Sequence, residues 1–201
     1  MDEQEKNRRH KEKMVKRKAF QDKLVREADK TKPLLMVYTG TGKGKSTAAF
    51  GTVLRSLGHG YKVGIVQFIK GGWSTGEQKA LERFDDLVTY IVAGEGFTWE
   101  TQDRARDMQA ARAAWDKALA LLADDSYHLV VLDELNIVLR YDYLPVEEIV
   151  AVLKKRTQHV IVTGRNAPPA LADAADLVTE MTLVKHPFRE QGIKAQKGIE
   201  Y

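Results

Sequence analysis

The spacing of apolar positions divides the chain at Pro33. Before it such positions are sparse. Phe20, Leu24 and Ala28 recur at i, i+4 and i+8, with Met14 and Val15 one to two turns earlier, so a helix is expected. One thin stripe cannot hold a helix alone, and this segment should be loose or docked on something else. After Pro33, short apolar runs alternate with helical patterns. The runs predict strands at Leu34–Tyr38, Lys62–Phe68, Leu87–Val92, Leu129–Asp133, Val160–Thr163 and Leu177–Leu183. The patterns between them predict helices at Lys45–Leu57 (closed by Gly58), Gly76–Phe84, Thr101–Ala123, Pro145–Lys154 and Pro168–Ala174. The unbroken run Leu129–Leu132 suits a strand buried on both faces. Strands alternating with helices indicate βαβ units and a mostly parallel central sheet flanked by helices. The expected organisation is therefore a charged helical arm, residues 1–32, ahead of one α/β domain, residues 33–201. The stretch from Lys185 to Tyr201 is punctuated by glycines and not periodic, so it reads as an ordered surface loop or a flexible end.

Composition changes this picture in two places. The net charge of +4 is uneven: the first 32 residues carry 12 Lys/Arg against 7 Asp/Glu, and the remainder 20 against 21. The chain is thus a basic arm on a nearly neutral domain. Cysteine is absent, which excludes disulfides, thiolate zinc sites, cysteine-ligated iron–sulfur clusters and a cysteine nucleophile. The start, MDEQEKNRRHKEK, has no apolar core of a secretory signal, and no apolar stretch approaches the ~20 residues of a membrane span. A cytoplasmic protein without membrane contact is expected. The five histidines are scattered, and neither an HExxH pattern nor a Ser/His/Asp order is present. His186 could be a ligand or base, although a lone histidine more often only hydrogen-bonds.

Four stretches carry candidate chemistry. In the first, the strand Leu34–Tyr38 runs into Gly40, Thr41, Gly42, Lys43, Gly44, Lys45, Ser46 and Thr47, followed by a good helix. Alternating glycines let the backbone N–H groups turn inward as an anion nest at a helix N-terminus. Lys45 can reach phosphate oxygens and the Ser46 hydroxyl can ligate Mg²⁺. The strict phosphate-loop pattern has glycine six residues before the lysine, where this chain has Thr39. In the second, Asp133 and Glu134 end a buried strand, where open α/β sheets bind ligands. Either could hold a metal, directly or through water, and Glu134 could orient substrate. In the third, Arg165 follows the strand Val160–Thr163 towards the same edge and could hold triphosphate oxygens bidentately. In the fourth, Phe97 and Trp99 lie in a glycine-flanked loop. They suit a flat apolar ligand or ordinary packing beneath that loop.

Several of these blocks together resemble the P-loop type of ATP:corrinoid adenosyltransferases of the cobalamin pathway. They are YTGTGKGKSTAAFG (Tyr38 to Gly51), VQFIKG (Val66 to Gly71), GFTWETQ (Gly96 to Gln102) and LDEL (Leu132 to Leu135). YDYLP (Tyr141 to Pro145), TGR (Thr163 to Arg165) and GIKAQKGIEY (Gly192 to Tyr201) match as well. The resemblance covers essentially the whole chain, with Thr41 where the family most often has Asn and Ser46 where it often has Thr. It implies a single P-loop NTPase (RecA-like) domain. The implied reaction moves the 5′-deoxyadenosyl group of ATP to the Co(I) of a corrinoid and releases triphosphate. The implied corrinoid is cobalamin, cobinamide or cobyrinic acid a,c-diamide. Mg²⁺, or Mn²⁺ in its place, is implied with the ATP. So are catalytic roles for Lys45, Phe97, Trp99, Glu134 and Arg165, nucleotide contacts along Gly40–Thr47, and metal contacts from Ser46, Asp133 and Glu134. Phe97 and Trp99 match the family residues associated with displacing the lower axial ligand of Co(II). A flavodoxin-like protein or reduced flavin is implied as electron donor, a homodimer as the assembly, and a part for the arm in closing an active site.

The rival from another class is a RecA-like ATPase stimulated by nucleic acid, with the basic arm as anchor. It accounts for the phosphate loop and for Asp133 and Glu134. It does not account for the GFTWETQ block, and a domain with no basic excess argues against nucleic acid. A nucleotide-binding regulator without catalysis is a third reading, separable by its lack of triphosphate release.

Overall fold

Every residue of strand β4, Leu129–Asp133, is buried, as an unbroken apolar run requires. We describe this in a computed structural model covering residues 2–69, 75–93 and 103–200. Successive residues of a strand point to opposite faces. Accordingly Leu129 and Val131 join one core, with Ala49, Phe50, Val53, Val63, Ile65 and Ile161. Val130 and Leu132 join the other, with Trp115, Leu135, Ile149, Val160 and Leu171.

The chain divides into two compact units, Met1–Lys32 and Pro33–Tyr201. In the first, α1 spans Glu3–Glu27, capped by Asp2, whose carboxylate accepts from the Glu5 N–H at 2.8 Å. Glu5 in turn pairs with Arg8 and Arg9, one turn along.

The second unit is built on six parallel strands. They are β1 (Leu35–Thr39), β2 (Val63–Gln67), β3 (Val88–Val92), β4, β5 (His159–Thr163) and β6 (Leu177–Glu180), in the order β3-β2-β4-β5-β1-β6. The sheet expected to be mostly parallel is parallel throughout. Helix α2 (Lys45–Gly58) covers one face through Ala49, Phe50, Val53 and Leu57. The same side receives α3 (Gly76–Leu81), which tightens into a 3-10 turn at Glu82–Phe84 where a single helix is expected. On the other face, α4 (Arg104–Leu122) presents Ala111, Ala114, Trp115, Ala118 and Leu121, a helical stripe of small residues around one large ring. With it lie α5 (Leu135–Arg140), α6 (Val146–Leu153) and α7 (Pro169–Ala174). A last short helix, α8 (Pro187–Gln191), interrupts the stretch expected to lack periodic structure.

One boundary departs from the sequence expectation, and one helix, α5, is not expected from the sequence at all. Strand β6 ends at Glu180 and not at Leu183, because its partner β1 ends at Thr39 and turns into the glycine loop, to which Met181 stays bonded through the Thr39 carbonyl and the Gly42 N–H. Helix α5 has too few residues to show a period, and its Leu135, Asn136, Val138 and Leu139 are all buried.

The start of β1 is fixed from three sides. Arg156 Nη2 donates to the Pro33 carbonyl at 2.9 Å and to Asp176 at 2.8 Å. The Leu35 N–H donates to Asp176 at 2.8 Å, and the Leu34 N–H donates to His159 Nδ1 at 3.1 Å. Burial, with His128 and Arg156 nearby, holds the His159 pKa below its ordinary value, which keeps Nδ1 free to accept. No helix among the described residues is long and apolar enough to cross a membrane.

Candidate active site

Three neighbouring strands deliver the candidate residues to one edge of the sheet. Strand β5 lies between β1, which leads into the glycine loop, and β4, which ends in Asp133. The loop turns at Gly40 (φ 98°) and at Gly44 (φ 103°), the left-handed residue before α2. Thr39 does not occupy the turn. Its Oγ1 accepts from the Ala167 N–H at 3.0 Å, tying β1 to the segment after β5. The left-handed glycine of this loop is thus one residue later than the strict pattern has it.

Lys45 is buried, at 7% exposure, and its Nζ donates to the Gly42 carbonyl at 2.5 Å. Burial lowers its pKa most, followed by the opposing pull of Glu134 and the repulsion of Arg165 and Lys43. Those charges lie close enough to act on it, so Lys45, Glu134 and Arg165 share one electrostatic environment. Ser46 donates to the Asp133 carboxylate. Asp133 is 2% exposed and accepts two further hydrogen bonds, from Thr163 Oγ1 at 2.7 Å and from Gln67 Nε2 at 3.4 Å. Burial nevertheless raises its pKa, against the lowering effect of those bonds.

Glu134 stands on a left-handed backbone, φ 62°, uncommon for a residue with a side chain. Its N–H is held by Thr163 Oγ1 at 2.9 Å. One carboxylate oxygen, Oε2, is buried without a hydrogen-bond partner. Burial and the neighbouring Asp133 push the carboxyl up to about 7, against Lys45 and Arg165. Gly164 makes the space for it. A Cβ there would lie 2.9 Å from Asn136 Cβ and 3.1 Å from Glu134 Oε2.

Ser46, Asp133 and Glu134 together offer hard oxygen donors, and one of those oxygens is orphaned. That set suits Mg²⁺, which binds one or two carboxylates and completes its shell with water and phosphate. No group of three or more His, Asp or Glu able to hold a metal exists among the described residues, so a cage of protein ligands alone is not available there.

The structure therefore brings together Lys45, Ser46, Asp133, Glu134 and, more exposed, Arg165. It does not bring the side chains of Thr41, Lys43 and Thr47 into that buried set: all three are exposed, and Lys43 pairs with Glu200. Phe97 and Trp99 lie outside the described residues. Sequence reasoning missed Thr163, which grips both acidic neighbours, and Gln67. It also missed Glu77, whose charge helps raise the Asp133 pKa, and Tyr90, whose own pKa is raised by burial and by Asp133. Thr163 and Gln67 stand inside the TGR and VQFIKG blocks, and that was the available signal.

Comparison with known proteins covers this edge and the rest of the chain. Residues 31–201 match the family model described as ATP:corrinoid adenosyltransferase BtuR/CobO/CobP. Residues 1–25 match a model of the cob(I)alamin adenosyltransferase N terminus. A corrinoid adenosyltransferase of Pseudomonas aeruginosa is 55% identical over 199 residues, covering 98% of each chain. One from a Sinorhizobium species is 52% identical, over 96% of this chain and 92% of the relative. The corrinoid adenosyltransferase CobA of Salmonella typhimurium is 46% identical, over 96% and 98%. Similarity of this extent, on a parallel sheet ending in a phosphate-type loop, means that the chain belongs to the BtuR/CobO/CobP family of ATP:corrinoid adenosyltransferases, enzymes that transfer an alkyl group.

Proposed function

We propose that this chain seats the triphosphate of ATP in the loop Gly40–Thr47 and passes the 5′-deoxyadenosyl group to a Co(I) corrinoid. The observation that carries this reading is the convergence of Lys45, Ser46, Asp133, Glu134 and Arg165 on one sheet edge, with Lys45 and Asp133 buried and Glu134 half-buried. In the transfer, the cobalt electron pair forms a bond to the ribose C5′. The C5′–O bond breaks and its electron pair leaves with triphosphate. Lys45, the loop amides and Arg165 neutralise the charge gathering on that leaving group. Ser46, Asp133 and Glu134 would hold Mg²⁺, which would supply further neutralisation of the phosphate oxygens when bound. Unlike an ATPase, an adenosyl transfer requires that water be kept from the phosphates.

Phe97 and Trp99 are assigned, from the family resemblance, to displacing the lower axial ligand of Co(II), since an apolar ring offers cobalt no replacement donor. The electron then comes from a flavodoxin-like protein or reduced flavin. We further assign the domain to residues 33–201, the arm to residues 1–32 with a part in closing an active site, the assembly to a homodimer and the location to the cytoplasm.

The test is anaerobic. Purified protein, MgATP and chemically reduced cob(I)alamin should yield light-sensitive adenosylcobalamin and one triphosphate per turnover. ADP and phosphate with unchanged corrinoid would instead identify an ordinary P-loop ATPase. Lys45→Ala should lose nearly all transfer, and full activity in that variant would remove the loop assignment. Trp99→Ala should slow turnover from Co(II) far more than from prereduced Co(I). Equal losses would limit the ring to packing or binding.

A further inference from the structure

Lys43 belongs to the phosphate loop, yet its ammonium is paired with the carboxylate of Glu200, 157 residues later. The pair is asymmetric. Lys43 has 54% of its side chain exposed, whereas Glu200 has 19%. A backbone turn presents the glutamate, with the N–H groups of Ile199 and Glu200 both donating to the Gln196 carbonyl, at 3.1 and 2.8 Å.

The same C-terminal segment meets the loop a second time, at its base. The Gly42 N–H donates to the Met181 carbonyl at 2.6 Å. Gly42 lies so near Met181 and Thr182 that an added Cβ would fall 2.7 to 2.9 Å from their backbone atoms. A third donor, Lys45 Nζ, is taken by the Gly42 carbonyl. Three cationic or amide donors of an anion-binding loop are thus occupied by oxygens of the protein itself. Two of those oxygens are backbone carbonyls, of Met181 and Gly42, whereas the third belongs to a side chain on a short turn, which can swing away by itself.

We propose that Glu200 is an exchangeable counter-anion: the triphosphate displaces it from Lys43 on binding, and it returns to Lys43 as triphosphate departs. Tail docking and polyphosphate binding then compete for one ammonium, and the coupling between them is reciprocal. Bound polyphosphate loosens the tail, and the docked tail weakens polyphosphate. The consequence for the reaction lies in its last step. A highly charged product must leave a loop built to hold it, and a carboxylate waiting beside Lys43 lowers what is lost when it goes. Glu200 is in this sense a positioning residue acting through Lys43. The inference rests on the reading that the loop seats polyphosphate.

The experiment titrates the full chain with magnesium tripolyphosphate by calorimetry. Glu200→Gln should bind it more tightly by roughly two- to fivefold at low salt, the size of one exposed ion pair, and the gain should shrink as salt is raised. Glu200→Asp should restore part of the wild-type affinity. Lys43→Ala should bind more weakly, and adding Glu200→Gln to it should change nothing. In parallel, trypsin cleavage after Lys194 and Lys197, followed by mass spectrometry, should quicken in wild-type protein when tripolyphosphate is added. Unchanged or weaker binding in Glu200→Gln, a gain that persists without Lys43, or protection of the tail would each overturn the proposal. Failure of the wild-type chain to bind either tripolyphosphate or ATP would remove the loop reading itself, and this proposal with it.

Discussion

Glu134 combines an uncommon backbone angle, an orphaned carboxylate oxygen and a carboxyl held near 7. In the unfolded chain such a group ionises near 4.5, so between the two values the folded state holds the extra proton. Its contribution to stability therefore falls as pH rises from about 4.5 to about 7 and stays lost above that. Thermal melts of Glu134→Gln and wild-type protein from pH 5 to 8 should show the variant gaining relative stability across that window. Parallel curves would mean that the carboxyl ionises normally. Mg²⁺ and ATP together should flatten the wild-type curve, because a cation beside the carboxylate favours its charged form. At Gly164, substitution by alanine forces a Cβ into Asn136 and Glu134 at a φ of 122°. Gly164→Ala should cost on the order of 1–3 kcal/mol of stability, the range for a strained backbone residue, and should reduce ATP affinity as well. Denaturant midpoints and calorimetry would measure the two effects.

At the level of elements, β5 is the part that makes the site. It separates the strand bearing the phosphate loop from the strand bearing the carboxylates, and Thr163 at its end holds both Asp133 and the Glu134 N–H. Thr163→Val removes the hydroxyl that accepts from the Glu134 N–H and one of the three hydrogen bonds to Asp133, and should destabilise the protein by about 1–3 kcal/mol, while Thr163→Ser keeps the hydroxyl and should restore most of it. An unchanged denaturation midpoint in the valine variant would assign no weight to the bridge. The strands were legible because apolar runs bounded by glycine and charge have few alternatives, and Leu129–Asp133 is the plainest of them. Lys45, Ser46, Asp133 and Glu134 were legible because a strand–loop–helix unit and a strand-terminal acidic pair constrain where side chains go. Thr163 was not, since nothing local distinguishes a threonine that bridges two neighbouring strands from one that merely ends its own. The Lys43–Glu200 pair was illegible for a related reason: a contact spanning most of the chain leaves no trace in local periodicity.

At the scale of the whole molecule, both cores draw their residues from 35 onwards, and α1 has no buried residue. A chain beginning at Pro33 should melt within the ~2–4 °C that 1 kcal/mol represents at this size, and turn over corrinoid more slowly while still binding ATP. A collapse of the melting temperature would make the arm part of the fold. Where the two units join, the backbone from Pro33 to Leu35 is gripped by Arg156, Asp176 and His159. In mechanical terms that grip is an anchor point. Tension applied through the N-terminus is borne by the Arg156–Asp176 pair before it reaches β1, so a tag or surface tether at that end pulls against the far rim of the sheet and leaves the phosphate loop unloaded.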